Sequence, residues 1–197
     1  FFVLNFCDIF FSKRKKTHHQ ENIDKLTFYV ISSPEKLDRI ASRLYSHLVS
    51  FIRSYKDQMV ILASEVMNQL LDASPPSFIN LMMDDYFKMI VKLLCNDSTE
   101  YQIIASKSFR KFANINANTP ILYEYFSILV TQFVRLCSTK QGDIHTILKL
   151  RIAGLAGVQA LILKTKDAVT VKEKFKLSIM RGIVRLRHKL FPLFYRT

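Results

Sequence analysis

Residues 25–44 read Lys25-Leu-Thr-Phe-Tyr-Val-Ile-Ser-Ser-Pro-Glu-Lys-Leu-Asp-Arg-Ile-Ala-Ser-Arg-Leu44. Their punctuation predicts that one helix ends and a longer one begins. Ser33 offers a capping hydroxyl, Pro34 suits a first helical position because it has no N–H to lose, and Glu35 puts negative charge in the first turn. The apolar residues then fall at Leu37, Ile40, Ala41, Leu44, Leu48, Phe51 and Ile52. That three-and-four spacing makes one stripe, with Lys36, Asp38, Arg39 and Arg43 off it. One face of this helix is built for burial.

Working outward, the same pattern repeats. Residues 56–72 carry Met59, Val60, Ala63, Val66, Met67 and Leu70, and a break follows at Ser74-Pro-Pro76. Residues 78–95 carry Ile79, Met82, Met83, Phe87, Ile90, Val91 and Leu94. Asp97 and Ser98 are placed to cap a further helix with Ile104, Ala105, Phe109 and Phe112. After Asn114–Pro120 comes another, with Leu122, Phe126, Leu129, Val130, Phe133 and Cys137. Gly142 breaks the chain once more, and residues 144–165 supply Ile147, Leu148, Ile152, Leu155, Ala156, Val158 and Leu161 as the expected buried stripe. Hairpin starts near Lys56, Ser98 and Asp143 are about 42 to 45 residues apart, within the roughly 40–47 of armadillo and HEAT units. The expected fold is all-α: an armadillo/HEAT-like α-solenoid, a right-handed stack of helical hairpins. Four glycines, five prolines and the lack of sustained apolar/polar alternation argue against a sheet.

The chain has 197 residues, 49% of them hydrophobic, enough for a sizeable core. Its formal net charge of +13 selects polyanionic partners, either nucleic acid or an anionic membrane surface. Much of the excess lies near the two ends, and the aromatic residues of the middle sit on apolar stripes. That distribution disfavours a nucleic-acid-binding repeat, which needs cations along one face and exposed stacking rings. Cys7, Cys95 and Cys137 are far apart and odd in number, so no disulfide framework or metal site is expected, and a reducing compartment fits. Cys95 and Cys137 each end an apolar helix and are expected to be packed thiols. His18-His19 has no Cys or acidic partner at ligand spacing and reads as linker. Met82, Met83 and Met89 read as core filling rather than as an adaptable groove. Asp84-Asp85 reads as solvated helix surface. There is no Gly-rich phosphate loop, G-x-S-x-G or H-E-x-x-H, so neither an enzyme nor a cofactor is expected.

Residues 1–11 are apolar but about half as long as a membrane crossing, and Asp8 interrupts them. The basic run Lys13, Arg14, Lys15 and Lys16 follows the apolar stretch, the reverse of a secretory signal. A cysteine in an apolar segment before a basic run is the layout of a peripheral anchor. An acyl chain on Cys7 would bury methylenes at about 0.8 kcal/mol each, and each cation near an anionic leaflet adds about 1 kcal/mol. The other reading of Cys7 is an incidental thiol in a greasy terminus. The expected organisation is a tether at 1–21, helical repeats at 22–165 and a basic segment at 166–197. In the last, Val171, Phe175, Ile179, Ile183, Leu186 and Leu190 recur at helical spacing. It reads as a membrane- or partner-facing helix, or as a terminal helix of the stack.

Lys25-Leu-Thr-Phe-Tyr29 followed by Ser33-Pro-Glu-Lys-Leu-Asp-Arg-Ile40 also closely resembles the N-terminal region of the Eighty-five-requiring-three family, also called Rolling blackout or Stambha. The likeness continues through Asn68-Gln-Leu-Leu71, Phe87–Leu94, Ser108-Phe-Arg-Lys-Phe-Ala-Asn-Ile115, Asn118-Thr-Pro120 and Arg151-Ile-Ala-Gly154, to Thr165. The resemblance implies a non-catalytic helical rod fixed to the cytosolic face of the plasma membrane by acylated N-terminal cysteines. It also implies recruitment of a type III alpha phosphatidylinositol 4-kinase complex through a tetratricopeptide-repeat adaptor and a hyccin-type partner. The family clusters several cysteines where this chain has Cys7 alone, and the apolar residues Phe1, Phe2, Val3, Phe6, Phe10 and Phe11 would share the anchoring. A first residue that is phenylalanine and a length short of the family's mark the sequence as an expected N-terminal fragment.

Overall fold

The computed structural model describes residues 17–140 and 142–165, and within them the chain is helical throughout, with no strand. The helices are α1 (Thr17–Ser32), α2 (Leu37–Arg53), α3 (Asp57–Ala73), α4 (Asn80–Leu94), α5 (Thr99–Ala113), α6 (Leu122–Cys137) and α7 (Ile144–Thr165). Each begins within about three residues of where the stripe pattern predicts; α1 already begins at Thr17, so His18 and His19, expected as linker within a tether reaching residue 21, lie in a helix instead.

The junction at 33–37 is tighter than the sequence suggests. Pro34–Lys36 forms a single 3-10 turn before α2, and the Ser33 hydroxyl makes no capping bond. Ser33 instead carries the end of α1 onward, its N–H donating to Tyr29 O at 2.8 Å while its own carbonyl accepts from Lys36 N at 3.1 Å. A 3-10 turn draws its bonds from residues three apart, so the backbone satisfies what the side chain was expected to satisfy. Ser98 likewise makes no side-chain cap at the start of α5. There the Asn96 side chain accepts the Ser98 N–H at 2.9 Å, and Gln102 reaches back to the Asn96 carbonyl.

The described residues form two compact units. The first holds α1, α2, α3, residues 80–89 of α4 and the segment 117–121. In it α3 packs against α1 and α2. Ile23, Leu26 and Val30 of α1, six of the seven stripe residues of α2, and Val60, Ala63, Val66, Met67 and Leu70 of α3 are buried. Met82, Met83 and Met89 are also buried, which makes them core. The Tyr86 hydroxyl donates to Asn68 Oδ1 at 2.7 Å, so a fully buried phenol is satisfied across α3 and α4. Ser64 is buried because its hydroxyl bonds back to Val60 O at 2.8 Å.

The second unit holds residues 90–94 of α4 with α5, α6 and α7. Here α7 packs against both α5 and α6. The core is aromatic: the Phe109 ring lies 5.8 Å from Phe112 and 5.3 Å from Phe133, tilted in both cases.

The contact of α7 differs from the sequence expectation. Its buried residues are Leu150, Ala153, Gly154, Gly157, Ala160 and Leu161, whereas Leu148, Ile152 and Leu155 are exposed and Ile147, Ala156 and Val158 are only partly covered. Of the expected stripe only Leu161 is buried. The cause is size: a face of alanine and glycine lets the helix axes approach. A Cβ on Gly154 would stand 2.6 Å from Cys137 N and 2.8 Å from Phe133 O, and one on Gly157 would enter the Phe133 ring.

Candidate interaction surface

Cys7, Lys13, Arg14, Lys15 and Lys16 lie outside the described residues, as do the cations of the 166–197 segment. Residues 17–165 carry sixteen lysines and arginines against thirteen acids, so only +3 of the net charge of +13 belongs to the described helices. The charge that selects a polyanion therefore sits in the two ends.

Several of the remaining cations are committed to the fold. Arg135 on α6 donates to Leu94 O, the last carbonyl of α4, at 2.9 Å. Arg151 on α7 donates twice to Thr139 O, just past α6, at 3.1 and 3.0 Å. Lys164 donates to Ile115 O, just past α5, and its ammonium stands 4.7 Å from the Phe112 ring centroid. Burial pushes the Lys164 pKa down. Each cation meets a helix C-terminus, where unpaired carbonyls and the negative end of the helix dipole favour it. Sequence reading missed all three, because spacing along one helix does not disclose which other helix end lies within reach.

At the start of α7, Asp143 accepts the backbone N–H of His145 at 2.9 Å and of Thr146 at 3.0 Å, and it also accepts the Thr146 hydroxyl. Those bonds hold its carboxyl below the usual range, the Thr146 hydroxyl first among them. On α4, Lys88 bonds Asp84 and stands 3.6 Å from Asp85. Burial raises the Asp85 pKa, with the Lys88 charge opposing it. This is a partly exposed ion-pair group on one helix, worth little stability. Among the described residues no group of three or more His, Cys, Asp or Glu side chains is arranged to hold a metal.

The two described cysteines separate. Cys137 is buried, and desolvation raises its pKa to about 11. Cys95 is exposed, contrary to the expectation of a packed thiol, because α4 ends at Leu94 and position 95 continues the solvent side that carries Lys92. At pH 7.5 roughly one Cys137 in several thousand is a thiolate. In a Cys7→Ser background, Cys95 is expected to react with an aromatic disulfide reagent in the native protein and Cys137 only on unfolding. Two fast thiols without denaturant would contradict the α6–α7 packing.

The most conspicuous surface is the outer side of α7. Ile144, Leu148, Ile152, Leu155, Ile162 and Leu163 are between 45% and 78% exposed and share an arc of about 100°. Sequence reading took large side chains for the buried face; the signal that identifies the true face is the small-residue run Ala153, Gly154, Gly157, Ala160.

The armadillo-repeat model of the EFR3 family matches residues 23–184. Protein EFR3 homolog B of Homo sapiens is 37% identical over 144 residues, 73% of this chain and 18% of its own length. Protein EFR3 homolog cmp44E of Drosophila melanogaster is 34% identical over 166 residues, 84% of this chain and 20% of its own. Protein EFR3 homolog of Caenorhabditis elegans is 31% identical over 150 residues, 73% of this chain and 17% of its own. The chain thus spans about a fifth of the length of the curated relatives it matches. No solved structure matches it.

Proposed function

The chain belongs to the EFR3 armadillo-repeat family, and from that premise we propose that it is part of a non-catalytic scaffold on the cytosolic face of the plasma membrane. The scaffold recruits a type III alpha phosphatidylinositol 4-kinase complex through a tetratricopeptide-repeat adaptor and a hyccin-type protein. Its effect is one of concentration: holding the kinase beside its lipid substrate raises the local concentration of both without any bond-making by the scaffold. The family match over residues 23–184 carries this reading. The near-neutral helical body and the cationic ends support it, since a support needs rigidity in the middle and attachment at a terminus. Lys13, Arg14, Lys15 and Lys16 are the electrostatic contact, and Cys7 is the acylation candidate.

Flotation on vesicles tests the attachment. The whole chain, made in eukaryotic cells, is expected to float with phosphatidylserine-containing vesicles and not with neutral ones. Replacing Lys13, Arg14, Lys15 and Lys16 by Gln is expected to weaken this at least tenfold, and Cys7→Ser to weaken it further. Equal binding to neutral and anionic vesicles, with RNA competing strongly, would move the chain to the nucleic-acid-binding class.

A further inference from the structure

The small net charge of the described body hides an uneven spread. The outer side of α2 carries Arg39, Ser42, Arg43, Ser46, Ser50 and Arg53 within an arc of about 100°, opposite the buried stripe and about 21 Å from end to end. Five of the six are exposed and Arg43 is half-buried. Lys56 extends the row just past the helix, and from Arg39 to Lys56 the sequence has no acid. Asp38 lies about 100° off the row, and its charge acts on Asp85 of α4 instead. The other cations of this unit stand beside acids. Lys36 is 3.6 Å from Glu35, Lys88 bonds Asp84, and Lys25 shares its face of α1 with Glu21.

The row ends on a strained residue. Among the described residues Tyr55 is the one non-glycine with positive φ, at 54°. It closes α2: its N–H donates to Ile52 O at 3.3 Å while the Lys56 N–H donates to Phe51 O at 3.0 Å, a paired closure that glycine ordinarily serves. A side chain as bulky as tyrosine is an outlier in that conformation, and a ring 90% exposed gains no packing to offset the cost. Strain kept without a structural return points to use.

We propose that the outer row of α2 is a docking line for an acidic segment of another protein, with Tyr55 as its anchor. Charge complementarity selects the partner. Shape selects a chain over a bilayer, because α3, packed against α2, carries exposed Asp57, Glu65 and Asp72 and no cation, which leaves the positive surface a line one helix wide rather than a plane. Arginine and tyrosine are also the residue types that dominate binding energy between proteins. The inference stands independently of the membrane reading.

The whole chain with Lys13, Arg14, Lys15 and Lys16 replaced by Gln keeps the tether cations out of the test. Its binding to a fluorescein-labelled peptide of about sixteen residues, glutamate alternating with alanine, is followed by anisotropy at about 0.1 M salt, where the Debye length is about 10 Å. Arg39→Gln with Arg53→Gln and Lys56→Gln is expected to weaken binding at least tenfold. Lys92→Gln with Lys107→Gln and Arg110→Gln, an equal loss of charge at exposed positions of α4 and α5, should weaken it less than twofold. Tyr55→Gly is expected to weaken it at least threefold while raising the urea midpoint, a split that a structural tyrosine would not give. A photoreactive group at the centre of the peptide should attach within residues 39–56. Equal losses in the two triple variants, attachment elsewhere, or a Tyr55→Gly that lowers the midpoint or leaves binding unchanged would each overturn the proposal. So would a row variant that kept the peptide but lost phosphatidylserine vesicles or RNA, results that assign the row to a bilayer or to nucleic acid.

Discussion

Phe133→Ala is expected to lower the unfolding free energy of the second unit by about 3–5 kcal/mol, the usual cost of removing a buried aromatic ring. Phe133 is fully buried on α6, and its ring is where three helices meet. Phe109 of α5 stands 5.3 Å away in a tilted aromatic pair, and Gly157 of α7 lies so close that any side chain there would occupy the ring's space. Alanine removes contacts to both neighbours at once, and the glycine has no side chain with which to fill the gap. The site therefore collapses poorly, which is the condition for a cost at the upper end of the range. Urea titration of the whole chain, followed by circular dichroism, reads the loss. A fall of less than about 1 kcal/mol would mean that α5, α6 and α7 are not held together at this ring.

The fold class was open to sequence reading because helical amphipathicity is a local property. Leu37, Ile40, Ala41, Leu44, Leu48 and Phe51 share a face whatever they pack against, and all six are buried. Helix ends were legible for the same reason: Pro120 and Gly142 interrupt a helix in any context. α7 was not legible, because large apolar side chains lie on both its covered and its open side, and periodicity cannot choose a face when both qualify. Shape complementarity chose it, through Ala153, Gly154, Gly157 and Ala160. The caps failed differently. Ser33 and Ser98 were credited with side-chain bonds that the backbone and Asn96 make instead. The Arg135, Arg151 and Lys164 bonds to distant carbonyls depend on tertiary proximity alone. As for the tether, Cys7 and Lys13 to Lys16 were read from composition and family likeness, which say what a bilayer would attract but give no geometry.

Gly154→Val is expected to cost about 3 kcal/mol and Gly154→Ala about 1–2, a graded series that follows added volume rather than helix propensity. Propensity alone predicts the opposite sign for alanine, since glycine within a helix is roughly 1 kcal/mol worse. Steric opposition must exceed that gain, and the identity of the opposing atoms says that it does. A Cβ at 154 would meet Cys137 N at 2.6 Å and Phe133 O at 2.8 Å, both backbone atoms of α6, with Cys137 Sγ at 2.9 Å. A crowded side chain can rotate away; a helix backbone can withdraw only by moving the whole of α6, which strains the core on its far side. Ala156→Gly, at a half-covered position of α7, isolates the propensity effect and should itself destabilise by about 1 kcal/mol. If Gly154→Ala instead raised the urea midpoint by as much as Ala156→Gly lowered it, α6 and α7 would have to stand farther apart than glycine requires. The Phe133 effect would then shrink with it, because the ring is trapped only while the two helices remain in close approach.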